Sequence, residues 1–234
     1  MMEGFSVDIK TKIFGHRGYP KKFAENSLEG FAYCVKNGAE GIEFDVHLTK
    51  DQVPVVIHDE KVDRTTDQKG LIKDMTLAQV KACHLQNGES IPTLTEVLAI
   101  LKTYPGLINL EFKTDKQAYP GLVEKVLYLA QDFPQIIYSS FNLETLRQAL
   151  AFDATLDCNY LVDFEVENPQ KLLQENRLKG LHPHLWHDFS GVQRIWTIDD
   201  ELLAQKLMQK GVSGLFTNDF EKMNRLKERM KADA

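Results

Sequence analysis

Lys12-Ile13-Phe14-Gly15-His16, a helix-patterned stretch that stops at Gly38, and then Gly41-Ile42-Glu43-Phe44-Asp45-Val46 spell one strand, one helix and a second strand. The middle stretch carries Leu28, Phe31, Ala32 and Val35 at helical spacing and opens on Asn26 with Glu29 three residues on, which predicts a capped amphipathic helix. Two strands joined through a helix run parallel, because a tight turn can only make an antiparallel pair. The same unit recurs along the chain, with strands predicted at 12–16, 41–46, 107–113, 135–141, 155–161, 180–183, 194–198 and 214–217. Later helices open on Thr93 with Glu96, Asn142 with Thr145, Asn168 before Pro169, and Asp199 or Asp200 before Leu202, Leu203 and Leu207; Gly211 ends the last of these. Eight such units in 234 residues predict an α/β fold, a (β/α)8 TIM barrel, since closure removes both sheet edges. An open doubly wound sheet is the competitor, but polar motifs on several separate strands converge more naturally in a barrel mouth.

One stretch breaks the alternation. Val46-His47-Leu48 and Val53-Pro54-Val55-Val56-Ile57-His58 flank the short polar turn Thr49-Lys50-Asp51-Gln52, so the second run is expected to pair antiparallel and to stay out of the barrel. Asp63-Arg64-Thr65-Thr66-Asp67 and a small helix from Thr76 follow. The expectation is a single domain over 1–234 in which 47–92 is a small insertion after the second strand, hanging over the mouth and delivering His58 to it.

Strand parity carries the chemistry. Glu43 and Asp45 share one face of their strand while Ile42, Phe44 and Val46 share the other, and Asn109, Glu111 and Lys113 likewise oppose Leu110 and Phe112. Neighbouring buried carboxylates cost several kcal/mol each unless positive charge lies between them. Oxygen donors suit magnesium, calcium or manganese better than zinc. His16 and Arg17 close the first strand, adding an acid/base group and a fixed cation.

Assembled in order, Gly15-His16-Arg17-Gly18, Glu25-Asn26-Ser27, Glu43-Phe44-Asp45-Val46, Thr49-Lys50-Asp51, Val55-Val56-Ile57-His58-Asp59, Asp63-Arg64-Thr65-Thr66, Leu110-Glu111-Phe112-Lys113, Ser139-Ser140-Phe141, Trp196-Thr197 and Phe216-Thr217-Asn218 resemble the glycerophosphodiester phosphodiesterase family. The resemblance implies a barrel hydrolase that cleaves glycerophosphodiesters such as glycerophosphocholine or glycerophosphoethanolamine to sn-glycerol 3-phosphate and an alcohol. It also implies one divalent cation, Mg2+ or Ca2+ with Mn2+ as a further possibility, held by Glu43, Asp45 and Glu111, which agrees with strand parity. His16 and His58 are implied as the acid/base pair, with the division of roles left open, as is direct attack by water against attack by a glycerol hydroxyl. Arg17 and Lys113 are implied at the phosphate, and Phe141 and Trp196 as an apolar wall against the glycerol carbons. Two positions depart from the pattern: the family often has asparagine after the Trp-Thr pair, where this chain has Asp199, and aspartate after the late threonine, where it has Asn218. A lysophospholipase D-type activity is the near alternative, and a non-catalytic phosphodiester-binding module is the rival of another class.

Composition narrows the partners. At 43% hydrophobic and 26% charged the chain belongs with soluble globular proteins, and a net charge of −6 without a basic tract beyond the mixed stretch 222–231 argues against nucleic acid. That stretch reads as a solvated helix end. Residues 1–8 lack the basic and apolar regions of a signal peptide, and no apolar run approaches the ~20 residues of a membrane span, so a cytoplasmic protein without stable membrane insertion is expected. Cys34, Cys83 and Cys158, widely spaced, read as buried small hydrophobes in a reducing compartment. His182, His184 and His187 have no Cys or acid at ligand spacing and are assigned to structure or rim. The expected partner is a small-molecule substrate, and oligomeric state is not encoded in motif spacing.

Overall fold

The computed structural model describes residues 9–232. Its strands are β1 (Lys12–Gly15), β2 (Gly41–Leu48), β3 (Pro54–Val56), β4 (Leu107–Phe112), β5 (Ile136–Ser140), β6 (Asp157–Val162), β7 (Gly180–Pro183), β8 (Val192–Ile195) and β9 (Gly214–Thr217). The helices are α1 (Leu28–Lys36), α2 (Leu77–Lys81), α3 (Leu94–Leu101), α4 (Leu122–Ala130), α5 (Leu143–Phe152), α6 (Pro169–Asn176), α7 (Glu201–Gln209) and α8 (Phe220–Ala232), with one 3-10 turn at Ile72–Asp74. Among the described residues, eight strands run parallel in the order β1-β2-β4-β5-β6-β7-β8-β9, and β9 returns to β1 from Lys12↔Gly214 to Gly15↔Thr217. The chain is a closed (β/α)8 barrel.

Parity divides the core into two. Outward-facing Ile13, Ile42, Phe44, Val46, Ile108, Leu110 and Phe112 pack with the buried faces of the helices. Inside, Phe14, Ile137 and Phe216 form a separate plug, with the Phe14 and Phe216 ring centroids 4.9 Å apart. Glycine makes room for it: a Cβ on Gly41 would lie 2.3 Å from the Phe14 ring, and one on Gly214 2.9 Å.

A buried polar group shares the interior. Arg194 Nη1 donates to Asn159 Oδ1 at 3.1 Å and to His182 Nε2 at 3.2 Å, which places the His182 proton on Nδ1. Burial, then the Arg194 charge, drives the His182 pKa well below its usual value. The unfolded chain takes up this proton near pH 6.5 while the folded chain does not. The stability contribution is therefore complete above that pH and declines below it by about 1.4 kcal/mol per pH unit until the lowered pKa is reached. Urea unfolding at pH 7 and 5.5 should show a loss to which His182 contributes this slope, and His182→Gln should make it shallower; an unchanged slope would remove His182 as a source.

Helix capping follows the sequence at most sites. Thr93 and Glu96 form a reciprocal capping box, Asn142 accepts from Glu144 N and Thr145 N, Asn168 precedes Pro169, and Asp200 caps α7. The exception is α1, whose cap is Ser27 rather than Asn26: Ser27 Oγ accepts from Gly30 N at 3.1 Å. The stretch 222–231 is also not simply solvated. The period of α8 buries Phe220, Met223 and Leu226, and puts Lys227 beside them, where it donates to Thr11 O at 2.7 Å and to both Glu40 oxygens at 2.9 Å.

Beyond its contact with β1, β2 continues to Leu48 because β3 pairs antiparallel with its upper half, Val46↔Val56 to Leu48↔Pro54. Val55 of β3 and the segment after it form their own apolar cluster, including Ile57, Val62, Ile72, Val80 and Ile91. Cys34, Cys83 and Cys158 are buried and free. No helix among the described residues is long and apolar enough to cross a membrane, and the reading of residues 1–8 lies outside those residues.

Candidate active site

The C-terminal ends of the strands surround a cleft of about 140 Å³ lined by His16, Arg17, Glu43, His58, Asn109, Glu111, Phe141, Leu161, Trp196, Thr197 and Phe216. Strand parity puts the acids there: β2 and β4 pair with Glu43 beside Asn109 and Asp45 beside Glu111. Glu43, Asp45 and Glu111 are buried, and each offers an oxygen within 4.8 Å of the others. Among the described residues this is the only such group of potential ligands, and the late histidines do not form another. His182 lies inside the barrel, His184 is exposed, and His187 Nε2 accepts from Val166 N.

The acids divide the charge unequally. Burial, then Asp45 and Glu111, pushes the Glu43 carboxyl well above the usual range, and burial also raises Glu111 against the pull of Lys113. Burial opposes the charge on Asp45 too, yet His58, Lys113, Arg17 and the hydrogen bond from Asn26 hold it below the usual range. Asn26 Nδ2 donates to Asp45 Oδ2 at 3.0 Å, while Asp45 Oδ1, fully buried, has no hydrogen bond. Lys113 Nζ is 2.7 Å from Glu111 Oε1 and 3.8 Å from Asp45 Oδ1. A buried carboxylate oxygen without a donor, beside two more acids, fits a hard cation.

Each histidine is held by its neighbours. His16 Nδ1 lies 2.9 Å from Asn218 Oδ1, and its backbone N donates to Thr217 O at 2.9 Å. Burial, then the Arg17 charge, lowers its pKa to about 4 despite the Asn218 hydrogen bond, so the ring is neutral at neutral pH. His58 reaches the cleft because Ile57 N donates to Asp45 O at 3.1 Å and because His47 Nε2 donates to His58 O at 3.0 Å, with Tyr119 OH on the other His47 nitrogen at 2.9 Å. The His58 ring has Nδ1 at 2.7 Å from Asp59 Oδ1 and Nε2 at 3.3 Å from Lys113 Nζ. Arg64 then joins Asp59 to Glu25 with four contacts of 2.7 to 3.0 Å, and Glu25 reaches Arg17 Nη1 at 3.1 Å. Arg17, in a left-handed backbone conformation at φ 52°, also turns its N–H onto Glu43 Oε2 at 2.7 Å. The aromatic wall is present as a T-shaped Phe141–Trp196 pair with centroids 5.5 Å apart, and Trp196 Nε1 donates to His182 O at 2.7 Å.

All nine residues singled out in the sequence come together: seven line the cleft, and buried Asp45 and Lys113 join them through Arg17, Glu111 and His58. The supporting residues were not foreseen in these positions. Glu25, Asp59 and Arg64 lay within the quoted motifs without roles and Asn26 stood as the predicted helix cap, whereas His47 and Tyr119 carried no signal beyond their residue type.

Comparison with known proteins agrees with this geometry. The sequence model of the Glycerophosphoryl diester phosphodiesterase family matches residues 16–181. A glycerophosphodiester phosphodiesterase of Caldanaerobacter subterraneus is 34% identical over 233 residues, covering 91% of this chain and 96% of the relative, and one of Bacillus altitudinis is 33% identical, covering 94% and 100%. Among solved structures, an Oleispira antarctica phosphodiesterase in complex with the product sn-glycerol-3-phosphate superimposes with a TM-score of 0.85 at 28% identity, covering 93% of this chain and 96% of that one. A Thermotoga maritima glycerophosphodiester phosphodiesterase gives a TM-score of 0.78 at 29% identity, with coverage of 92% and 98%. With matching motifs, fold and relatives of nearly the same length, this chain is an enzyme of the glycerophosphoryl diester phosphodiesterase family.

Proposed function

We propose that the enzyme hydrolyses glycerophosphodiesters to sn-glycerol 3-phosphate and a free alcohol, with a divalent cation, Mg2+ or Ca2+ and alternatively Mn2+, held by Glu43, Asp45 and Glu111. The observation that carries this reading is the meeting of two histidines, a buried acid triad and two fixed cations around one small cleft with an aromatic wall. A cation held by these three carboxylates would supply Lewis-acid stabilisation of a non-bridging phosphate oxygen. Lys113 and Arg17 add fixed charge around the phosphate, lysine as a point charge and arginine as a fork. Phe141 and Trp196 pack on the glycerol carbons and exclude water from that side.

His16 and His58 move the protons. As the attacking oxygen bonds to phosphorus, one ring takes its proton; as the bond to the departing alcohol oxygen breaks, the other ring gives that oxygen a proton. The product bound to the Oleispira relative supports the substrate class, since that protein is solved with sn-glycerol-3-phosphate. In this reading 47–92 is an insertion whose task is to present His58, and the three buried free cysteines support a reducing, cytoplasmic setting.

The test is an add-back assay. Metal-stripped protein is given glycerophosphocholine or glycerophosphoethanolamine with magnesium, calcium or manganese separately, and glycerol 3-phosphate is read by a coupled dehydrogenase. Release is expected only with added ion. Release undiminished without ion would remove the metal from the mechanism, and no release from either substrate with any ion would overturn the substrate class.

A further inference from the structure

The two positions at which the sequence departs from the resembled pattern form one unit in the structure. Asp199 accepts from Asn218 N at 2.8 Å, from Asn218 Nδ2 at 2.7 Å and from Thr217 Oγ1 at 2.8 Å. A carboxylate offers no proton, so the amide group turned to Asp199 is the NH2 and the one turned to His16 is the oxygen. An amide oxygen only accepts, so the 2.9 Å contact to His16 Nδ1 is a donation from the ring. A neutral imidazole carries a single N–H, which leaves His16 Nε2 with a bare lone pair in a residue that lines the cleft.

We propose that Asp199 and Asn218 are positioning residues that write the tautomer of His16, so that this ring enters the reaction as the proton acceptor through Nε2. The inference rests on the acid/base reading of His16 and His58. The backbone joins the same two segments, since His16 N donates to Thr217 O. As the attacking O–H oxygen bonds to phosphorus, its proton moves to His16 Nε2 while Nδ1–H stays on Asn218 Oδ1. On the acid/base reading, His58 carrying a proton on Nε2 as well as the Nδ1–H held by Asp59 supplies the proton taken by the alcohol oxygen as its bond to phosphorus breaks.

The unit is also exchangeable in a defined way. With Asp199→Asn and Asn218→Asp together, the amide at 199 still accepts from the 218 backbone and Thr217 through its oxygen and donates its NH2 to the new carboxylate at 218. That carboxylate still accepts from His16 Nδ1–H. Either single exchange breaks the complementarity: two facing carboxylates repel, and two amides no longer fix which end faces the ring.

Long-range proton–nitrogen spectra of 15N-labelled, metal-free protein read the tautomers of its seven histidines directly, with His16 assigned by its loss in His16→Gln. Wild type should show His16 with Nδ1 protonated and Nε2 bare. Asn218→Leu should mix the tautomers and lower kcat at least about tenfold with KM nearly constant, as expected when a base presents the wrong nitrogen. The double exchange should restore the single tautomer and bring kcat to within about threefold of wild type, well above both single exchanges. An Nε2–H ring in wild type, or a double exchange no more active than the worse single one, would overturn the inference. If Asn218→Leu fails to fold, the wild-type spectrum and the exchanged pair still decide. Failure of the acid/base reading is distinguishable, because it gives full turnover in His16→Gln whatever the tautomer.

Discussion

Glu43→Gln is expected to lower metal-supported hydrolysis by about a hundredfold or more and, at the same time, to make the metal-free protein more stable. The two effects have one cause. Burial and the neighbouring charges of Asp45 and Glu111 raise the Glu43 pKa, so that the metal-free fold holds a proton there that the unfolded chain releases. The stability associated with that proton is fully present below the ordinary glutamate pKa and declines as pH rises toward the raised value. Glutamine matches the protonated carboxyl in shape, keeps an oxygen for the Arg17 N–H, and carries no charge to repel Asp45. It gives up the anionic ligand in return. Melting curves without metal should therefore separate with pH, the variant ahead at pH 8 and level near pH 4.5. A gain of 1 kcal/mol corresponds to about 2–4 °C for a domain of this size. Added ion should raise the melting temperature of the wild type and leave that of the variant nearly unchanged. A variant that melts below the metal-free wild type at pH 8 would show that the carboxylates are balanced without the ion, and that the triad is an ion-pair cluster.

His58→Ala is expected to lower kcat by about a hundredfold to ten-thousandfold while the protein folds as before. The side chain is half-buried and is not what holds its own segment in place. His47 Nε2 bonds the His58 carbonyl, Ile57 N bonds Asp45 O, and Arg64 still bridges Asp59 to Glu25, none of which needs the imidazole. The truncation leaves Lys113 without its 3.3 Å contact to Nε2, but that ammonium keeps Glu111 at 2.7 Å. Circular dichroism and urea midpoints check the fold, and turnover checks the chemistry. A well-folded, fully active variant would take His58 out of the reaction.

Much of this was legible because strand parity and crossover topology are local rules. Glu43, Asp45 and Glu111 could be put on one surface from their spacing alone, since a parallel barrel has few ways to align adjacent strands. What failed depended on the tertiary environment. Asn26 has the residue type and spacing of a helix cap, yet it sits at φ 55° and its amide is drawn to Asp45, leaving Ser27 to cap α1. Lys227 sits in a mixed, polar-looking stretch, and only the packing of α8 reveals that Glu40 and Thr11 receive it. The predicted strand 194–198 ends instead at Ile195, where Trp196 turns into the mouth and its N–H crosses to Pro183 O at 3.3 Å. The bridge from Arg64 to Glu25 spans 39 residues, and nothing in the order of the chain selects that glutamate over other acids. Asp199 and Asn218 were visible as departures, but their reciprocity required seeing them face each other.

The seam between β1 and β9 has a consequence for the timing of the fold. His16 and Asn218 stand 202 residues apart in the chain and meet across this seam. A growing polypeptide can make each strand–helix unit as it emerges, but the first strand keeps an open edge until the last strand arrives. Contacts of such long separation form slowly, because loop closure must precede them. A nascent chain that stops short of residue 218 can already hold the acid triad between β2 and β4, yet it has nothing to orient the first histidine. On the proposed acid/base reading, competence for proton transfer is a property of the completed circle, acquired at the step that also closes the barrel.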